Sequence, residues 1–100
     1  MKPTMASNPV ILITGANSGL GFETVKSLYK STTAYTIFLG GRNIDKANAA
    51  AEEARTEFPW SASIISTVEI DIEDHESIFR AFEHVTTQHG RLDVLINNAG

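Results

Sequence analysis

Three glycines, Gly15, Gly19 and Gly21, follow the apolar run Val10–Ile13 almost directly. The run is typical of a strand, and the residues after the last glycine have the spacing of a helix. A turn of this kind presents the first amide groups of the helix without partners, and the helix dipole adds positive potential there. Glycine suits the turn because a side chain would hold a ligand off the backbone. The pattern predicts a binding site for a diphosphate, and the alternative is an ordinary glycine-rich turn.

A single arginine, Arg42, follows the second apolar run, Thr36–Leu39, where dinucleotide sites contact the adenosine ribose. A carboxylate there would bond the ribose 2′-hydroxyl and repel a 2′-phosphate, but the first one after the run is Asp45. The guanidinium presents planar donors that match phosphate oxygens, and such a charge-assisted contact is worth about 1.5–3 kcal/mol. We therefore expect NADP(H) to be preferred over NAD(H). The alternative is that Arg42 is a solvated residue at the start of a helix.

Further polar groups follow the third and fourth apolar runs, Ile64–Ile70 and Val94–Ile96. Asp71 could accept a hydrogen bond from an adenine amino group, with the backbone of Ile72 alongside, although a turn aspartate at a strand end is an equal alternative. The segment Asn97–Gly100 (Asn-Asn-Ala-Gly) follows the fourth run. Its amide side chains could bond the neighbouring strand, and its glycine would let a ribose approach.

The elements that must position these groups are four strands alternating with three helices. The apolar runs mostly lack alternation, which is typical of strands covered on both faces and therefore of a parallel sheet. The predicted buried faces of the helices are Leu20, Thr24, Val25 and Leu28; Ala47, Ala50, Ala51, Ala54 and Phe58; and Ile78, Ala81, Phe82 and Val85. Asn43 and Asp74 are placed to cap the second and third helices, and Pro59 to end the second.

Right-handed crossovers then determine the order of the strands. The first two crossovers build outward and the third returns past the first strand, which gives the order 3-2-1-4. We predict an α/β fold with a Rossmann-like, doubly wound parallel sheet that is truncated after strand 4. Residues 1–9 are expected to be a flexible tail, and residues 10–100 the N-terminal part of a dinucleotide-binding domain. A crevice opens where the strand order reverses, above the carboxyl ends of strands 1 and 4.

Length and composition exclude several classes of function. One hundred residues make one domain at most. A net charge of −4 argues against a nucleic-acid or acidic-membrane partner, and no apolar stretch is long enough to span a bilayer. The chain has no cysteine, which excludes disulfides and thiolate metal sites and fits a cytoplasmic location. His75, His84 and His89 lack the spacing of a helical metal site, so no metal ligands are expected.

Taken together, these motifs resemble the short-chain dehydrogenase/reductase family: Thr-Gly-Ala-Asn-Ser-Gly-Leu-Gly at 14–21, Arg42, Asp71 and Asn-Asn-Ala-Gly at 97–100. The resemblance covers residues 10–100, and the chain is similar to NADPH-dependent carbonyl-reductase-like members. By that resemblance, the diphosphate and adenosine ribose would be contacted by Gly15, Asn17, Ser18, Gly19, Leu20 and Gly21. The 2′-phosphate would be held by Arg42 with Ser18, adenine would be flanked by Asp71 and Ile72, and the cofactor ribose would be lined by Asn98, Ala99 and Gly100.

The catalytic part of that family does not occur in these 100 residues. Members use a serine and a Tyr-x-x-x-Lys pair that follow the Asn-Asn-Ala-Gly segment, whereas neither Tyr29 nor Tyr35 has a lysine at that spacing. We therefore expect no catalytic residue here, and a small-molecule substrate only in a full-length form.

The chain is then interpreted as the NADP(H)-binding part of an oxidoreductase that moves a hydride between the cofactor and a carbonyl or alcohol. The alternative is a non-catalytic dinucleotide-binding or sensing module. A methyltransferase with an adenosyl cofactor is a third possibility. It would require an acidic residue where the sequence has Arg42.

Overall fold

A computed structural model describes residues 8–98 as four parallel strands alternating with three helices. The strands are β1 (Val10–Thr14), β2 (Thr36–Gly41), β3 (Ile64–Glu69) and β4 (Val94–Asn97). The helices are α1 (Gly19–Tyr29), α2 (Ile44–Glu57) and α3 (His75–His89). The predicted tail, apart from Asn8 and Pro9, lies outside the described residues, and so do Ala99 and Gly100.

The strands form one sheet in the order β3-β2-β1-β4, so the predicted fold and strand order are confirmed. The register aligns the carboxyl ends of neighbouring strands, with Thr14 opposite Asn97 and Gly41 opposite Glu69. The loops that leave β1, β2 and β3 therefore emerge at the same edge of the sheet.

The core lies on both faces of the central strands. Ile11 and Ile13 of β1 pack in the cluster formed with α1 and α2, whereas Val10 and Leu12 pack in the cluster that includes α3. Every residue of β1 and β2 is buried. This two-sided burial explains why the central runs show no polar alternation.

The outer strands are less covered than the sequence pattern indicated. Among the described residues, β3 and β4 each pair with one neighbour, and each exposes apolar side chains. Ile64 is 56% exposed, Val94 42% and Leu95 47%.

Local sequence accounts for where α2 and α3 begin. The Asn43 side chain accepts a hydrogen bond from the Lys46 amide at 3.1 Å. Asp74 Oδ1 accepts from the amides of Glu76 and Ser77 at 3.0 and 3.4 Å. Both predicted N-caps are confirmed.

The predicted buried face of α1 is wrong at its start. The predicted residue Val25 is buried, and Leu28 packs against the core as predicted. Leu20 is 78% exposed, whereas Gly21, Phe22 and Tyr29, which were not predicted, are buried. The reason is that Gly21, which carries no apolar side chain for a periodicity count to detect, is the residue that packs inward. Leu20, one position earlier, is consequently turned to the outside.

Candidate functional site

A cleft of about 640 Å³ opens at the carboxyl edge of the sheet, between the loops that follow β1, β2 and β3. It is lined by Gly15, Asn17, Ser18, Arg42, Asn43, Lys46, Ile70, Asp71 and Ile72. Six of the predicted site residues are in this set: Gly15, Asn17, Ser18, Arg42, Asp71 and Ile72. Gly19, Leu20, Gly21 and Asn98 are not among the lining residues, and Ala99 and Gly100 lie outside the described residues.

The glycine turn after β1 has the backbone that its sequence demands. Gly15 and Gly19 have φ of 58° and 60°, in the left-handed region that favours glycine. Gly21 is constrained by space instead, since an added Cβ would meet the Gly15 carbonyl oxygen and lie 2.7 Å from Asn98 Nδ2. This last glycine thus allows α1 to pack closely on the turn.

The N-terminus of α1 presents amide donors next to this cleft. Ser18 occupies the N-cap position in extended conformation, but its side chain makes no capping hydrogen bond. The first turn of the helix contains no acidic residue. The first-turn amides therefore have no capping acceptor from Ser18, and no carboxylate of that turn offsets the positive end of the dipole. This is an arrangement that favours an anion.

Two cationic side chains line the same cleft. Arg42 follows β2 directly, and Lys46 lies one turn further on, in the first turn of α2. Within the described part of the chain, neither side chain forms an ion pair with a carboxylate. Lys46 was not among the predicted site residues, although the predicted cap at Asn43 placed it in the first turn of the helix that follows Arg42.

Backbone contacts connect the glycine turn to the end of β2. The Ala16 amide donates to the Gly40 carbonyl at 2.9 Å. An added Cβ at Gly41 would lie 3.2 Å from Asn17 Oδ1, and one at Gly40 would lie 2.8 Å from Ile70 Cγ2. The two glycines of β2 therefore let Asn17 and Ile70 lie close over the strand, where both line the cleft.

Asp71 lies on the opposite side of the cleft, in a turn that leads into α3. Its amide donates to Ser77 Oγ at 2.8 Å, and its carbonyl accepts from the Asp74 amide at 2.9 Å. One carboxylate oxygen, Oδ1, accepts from the Glu73 amide at 3.0 Å. Among the described residues, no hydrogen bond engages the second oxygen, Oδ2. Asp71 is thus both a turn residue and an acceptor at the cleft.

The end of β4 is bonded to β1 through side chains. Thr14 Oγ1 donates to Asn97 Oδ1 at 2.9 Å and accepts from the Asn98 amide at 3.0 Å. Asn98 Nδ2 donates to the Gly15 carbonyl at 3.2 Å. The expectation that amides of this segment bond the neighbouring backbone is confirmed. Asn98 lies behind the glycine turn and supports Gly15.

Other candidate chemistry lies away from the cleft. His84 and His89 lie edge-on to the ring of Phe38, with centroids 6.0 and 5.5 Å away. Across residues 8–98, no three histidine, aspartate or glutamate side chains converge as metal ligands would. In the same range, no helix combines the length and the apolar character needed to cross a membrane.

Known proteins share this architecture. A short-chain dehydrogenase/reductase of Talaromyces stipitatus, tropE, is 38% identical over 96% of this chain and 36% of its own length. The menthone neomenthol reductase of Mentha piperita superposes with a TM-score of 0.85 at 30% identity, over 95% of this chain and 32% of that one. The L-sorbose reductase of Gluconobacter frateurii, solved with NADPH and L-sorbose, gives 0.80 at 30% identity, over 94% and 34%.

The chain spans about a third of the length of the curated relatives that it matches. The family model of short chain dehydrogenases matches residues 9–100, which is nearly the whole sequence. With this match, the parallel sheet and the glycine turn at its reversal point, the chain belongs to the short-chain dehydrogenase/reductase family.

Proposed function

We propose that this protein is an NADP(H)-dependent oxidoreductase and that residues 8–98 form the adenosine side of its cofactor site. The observation that carries the proposal is the pair Arg42 and Lys46, which line the cleft without carboxylate partners in the described chain. The open N-terminus of α1 lies at the same cleft. A dinucleotide with a 2′-phosphate supplies anionic groups for both positions.

In this proposal, residues of the cleft and of the segments next to it each bind one part of the cofactor. The amides of Gly19, Leu20 and Gly21 at the start of α1, together with the turn residues Gly15 and Asn17, hold the diphosphate and the adenosine ribose. Arg42, with Ser18 and Lys46, holds the 2′-phosphate. Asp71 and Ile72 flank the adenine. The proposal assigns the cofactor ribose to Asn98 together with Ala99 and Gly100, of which the last two lie outside the described residues.

Charge supports NADP(H) over NAD(H). A 2′-phosphate carries about two negative charges near neutral pH, like other phosphate monoesters, and two cations face the cleft where such a group would lie. With NAD(H), Arg42 and Lys46 would face a hydroxyl and gain no ionic contact. A solved relative with this fold, the L-sorbose reductase, was crystallised with NADPH.

The reaction we propose is hydride transfer between the cofactor and a small carbonyl or alcohol substrate. The nicotinamide, when bound, supplies or accepts the hydride. The residues described here bind and orient the adenosine side of the cofactor. They do not shield the reacting centre from water. Because the chain has no cysteine, the proposal includes a reducing cytoplasm as its location.

A non-catalytic dinucleotide-binding module is the second candidate, because the cleft could bind a dinucleotide without any catalytic group. Tyr29 is 7% exposed in the core, and Tyr35 packs against the same cluster, so neither tyrosine lies at the cleft to donate a proton. The two candidates differ in turnover. In a full-length form, oxidation of NADPH with a panel of aldehydes and ketones supports the oxidoreductase, and binding without turnover supports the module.

The cofactor proposal is tested by titrating NADPH and NADH into the wild-type protein and an Arg42→Ala variant. We expect Arg42→Ala to weaken NADPH binding about 10- to 100-fold, the range for one charge-assisted contact, and to leave NADH binding unchanged. Arg80→Ala is the matched control, because Arg80 lies on α3 away from the cleft and pairs with Glu76 at 3.6 Å. Equal affinity of the wild type for NADPH and NADH would refute the proposed preference.

A further inference from the structure

Ser77 does not line the cleft, but it is hydrogen-bonded to a residue that does. It lies in the first turn of α3 and is 5% exposed. Its hydroxyl oxygen accepts a hydrogen bond from the Asp71 amide at 2.8 Å. None of the functions described so far uses this buried hydroxyl.

The position of Ser77 would ordinarily serve the helix itself. A polar side chain three residues after an N-cap often reaches back to the amide of the N-cap residue. Here the amide of the N-cap residue, Asp74, instead donates to the Asp71 carbonyl at 2.9 Å. The Ser77 hydroxyl is therefore left to bond the Asp71 amide, three residues further back.

These contacts hold Asp71 at three atoms. Ser77 bonds its amide, Asp74 its carbonyl and Glu73 its carboxylate Oδ1. Only Oδ2 is left without a hydrogen bond among the described residues. Removing the Ser77 hydroxyl leaves the Asp71 amide without its acceptor in a half-buried place, which the turn can relieve only by rotating toward water.

We propose that Ser77 is a positioning residue that orients the Asp71 carboxylate toward the exocyclic amino group of the adenine and thereby sets the base selectivity of the cleft. This inference rests on the proposed function, because it takes NADP(H) as the ligand. Its physical basis is that a carboxylate oxygen discriminates an amino donor from a carbonyl acceptor only while it is held in place.

The test compares NADPH with its hypoxanthine analogue, in which a carbonyl replaces the adenine amino group. We expect the wild type to bind NADPH more tightly, because Asp71 accepts from the amino group and repels the carbonyl. Ser77→Ala should reduce the ratio of the two affinities about 3- to 10-fold, which corresponds to one neutral hydrogen bond. Ser77→Thr keeps the hydroxyl and should retain the wild-type ratio.

Ser63 provides a matched control. It is 6% exposed, and its hydroxyl oxygen likewise accepts from a backbone amide, that of Tyr35 at 2.9 Å, at the opposite edge of the sheet. Ser63→Ala should lower Tm as Ser77→Ala does and leave the affinity ratio unchanged. In an Asp71→Ala background, Ser77→Ala should cause no further change in the ratio.

The possible failures are distinguishable. An unchanged ratio in Ser77→Ala, or an equal fall in Ser63→Ala, overturns the role of Ser77 and leaves the proposed function intact. Equal wild-type affinity for NADPH and its analogue overturns the contact between Asp71 and adenine, and the role of Ser77 with it. Failure of the wild type to bind NADPH at all overturns the proposed function itself.

Discussion

Arg42 and Lys46 line the same cleft, but they are not equivalent side chains. The guanidinium of Arg42 is planar and can bond two phosphate oxygens at once, whereas the ammonium of Lys46 is a point charge on a flexible stem. Arg42 directly follows a buried strand, whereas Lys46 lies in the first turn of α2. If both side chains bind the 2′-phosphate as proposed, we therefore expect Arg42 to contribute more to its binding than Lys46.

This inequality predicts that Lys46→Gln weakens NADPH binding about 3- to 10-fold, at the lower end of charged hydrogen bonds. The effect should be smaller than that of Arg42→Ala, and NADH binding should not change. Isothermal titration calorimetry of each variant with NADPH and with NADH measures these affinities. Lys30→Gln is the control, because Lys30 is an exposed lysine at the other end of α1. A parallel loss of NADPH and NADH affinity in Lys46→Gln would show that Lys46 does not contact the 2′-phosphate.

At the level of secondary structure, the side of β3 that faces away from β2 is partly covered by one side chain, that of Arg55. The Ile64 amide donates to the Tyr35 carbonyl toward β2, so the polar groups of the next residue, Ile65, point away from β2. Arg55 of α2 donates from a terminal guanidinium nitrogen to the Ile65 carbonyl at 2.7 Å, and its other terminal nitrogen pairs with Glu52 at 3.1 Å. Arg55 thus occupies a carbonyl that another strand could use for pairing.

We predict that Arg55→Met increases self-association of the protein. Methionine keeps most of the aliphatic stem but leaves the Ile65 carbonyl free for an intermolecular strand. Light scattering and size-exclusion chromatography over a range of concentrations measure the effect. Arg80→Met serves as the control, because it removes the same charge from α3. If Arg80→Met associates as strongly as Arg55→Met, net charge and not the β3 edge is responsible.

The sequence was sufficient for the elements and their order because those depend on features that repeat along the chain. The apolar runs placed β1 to β4 within about two residues of their observed bounds, and right-handed crossovers left one strand order. The buried face of α1 was mispredicted because Gly21 fills its inward position without an apolar side chain.

Cleft residues were predictable where they follow a strand closely, as Arg42 does directly after β2 and Asp71 does two residues after β3. Lys46 and Ser77 were missed because their roles arise from helix geometry and from hydrogen bonds across a turn. Neither residue type is distinctive in that setting. Only the arrangement of α2 and α3 at the edge of the sheet places Lys46 at the cleft and gives Ser77 its partner, the Asp71 amide.

For the whole molecule, Asp93 links the first and last described strands at the edge opposite the cleft. Its Oδ2 accepts from the Val10 amide and from Arg91 Nε, each at 2.8 Å, and its own amide donates to the Val10 carbonyl. The hydrogen bond from Val10, reinforced by Arg91, lowers the pKa of the Asp93 carboxyl below its ordinary value of 3.8. Because the folded pKa is the lower one, the stabilisation is present above that ordinary value and is lost as the pH falls through the folded pKa.

Asp93→Asn should therefore lower Tm at neutral pH, and the difference from the wild type should shrink as the pH falls below the ordinary aspartate pKa. Thermal melts of both proteins across the acidic range measure this. Glu83→Gln, an exposed carboxylate on α3 without an ion pair in the described chain, is the control and should show no such pH-dependent difference. A Tm difference between the wild type and Asp93→Asn that stays constant down to the lowest pH would contradict the assignment.

The cleft lies at the opposite edge of the molecule, and its lining residues predict which half of the cofactor stabilises the fold. All the cleft-lining residues come from segments that follow β1, β2 and β3, and the proposed function has them bind the diphosphate, the 2′-phosphate and the adenine. A ligand that binds only the folded state at 100 times its Kd adds about 2.7 kcal/mol to the free energy of unfolding. At equal concentrations, 2′,5′-ADP should therefore raise Tm by most of the shift that NADPH gives, and nicotinamide mononucleotide should raise it little.

In Arg42→Ala the shift from 2′,5′-ADP should fall toward that from 5′-ADP, because the lost contact is specific to the 2′-phosphate. A larger shift from nicotinamide mononucleotide than from 2′,5′-ADP would place the main binding contacts outside this cleft.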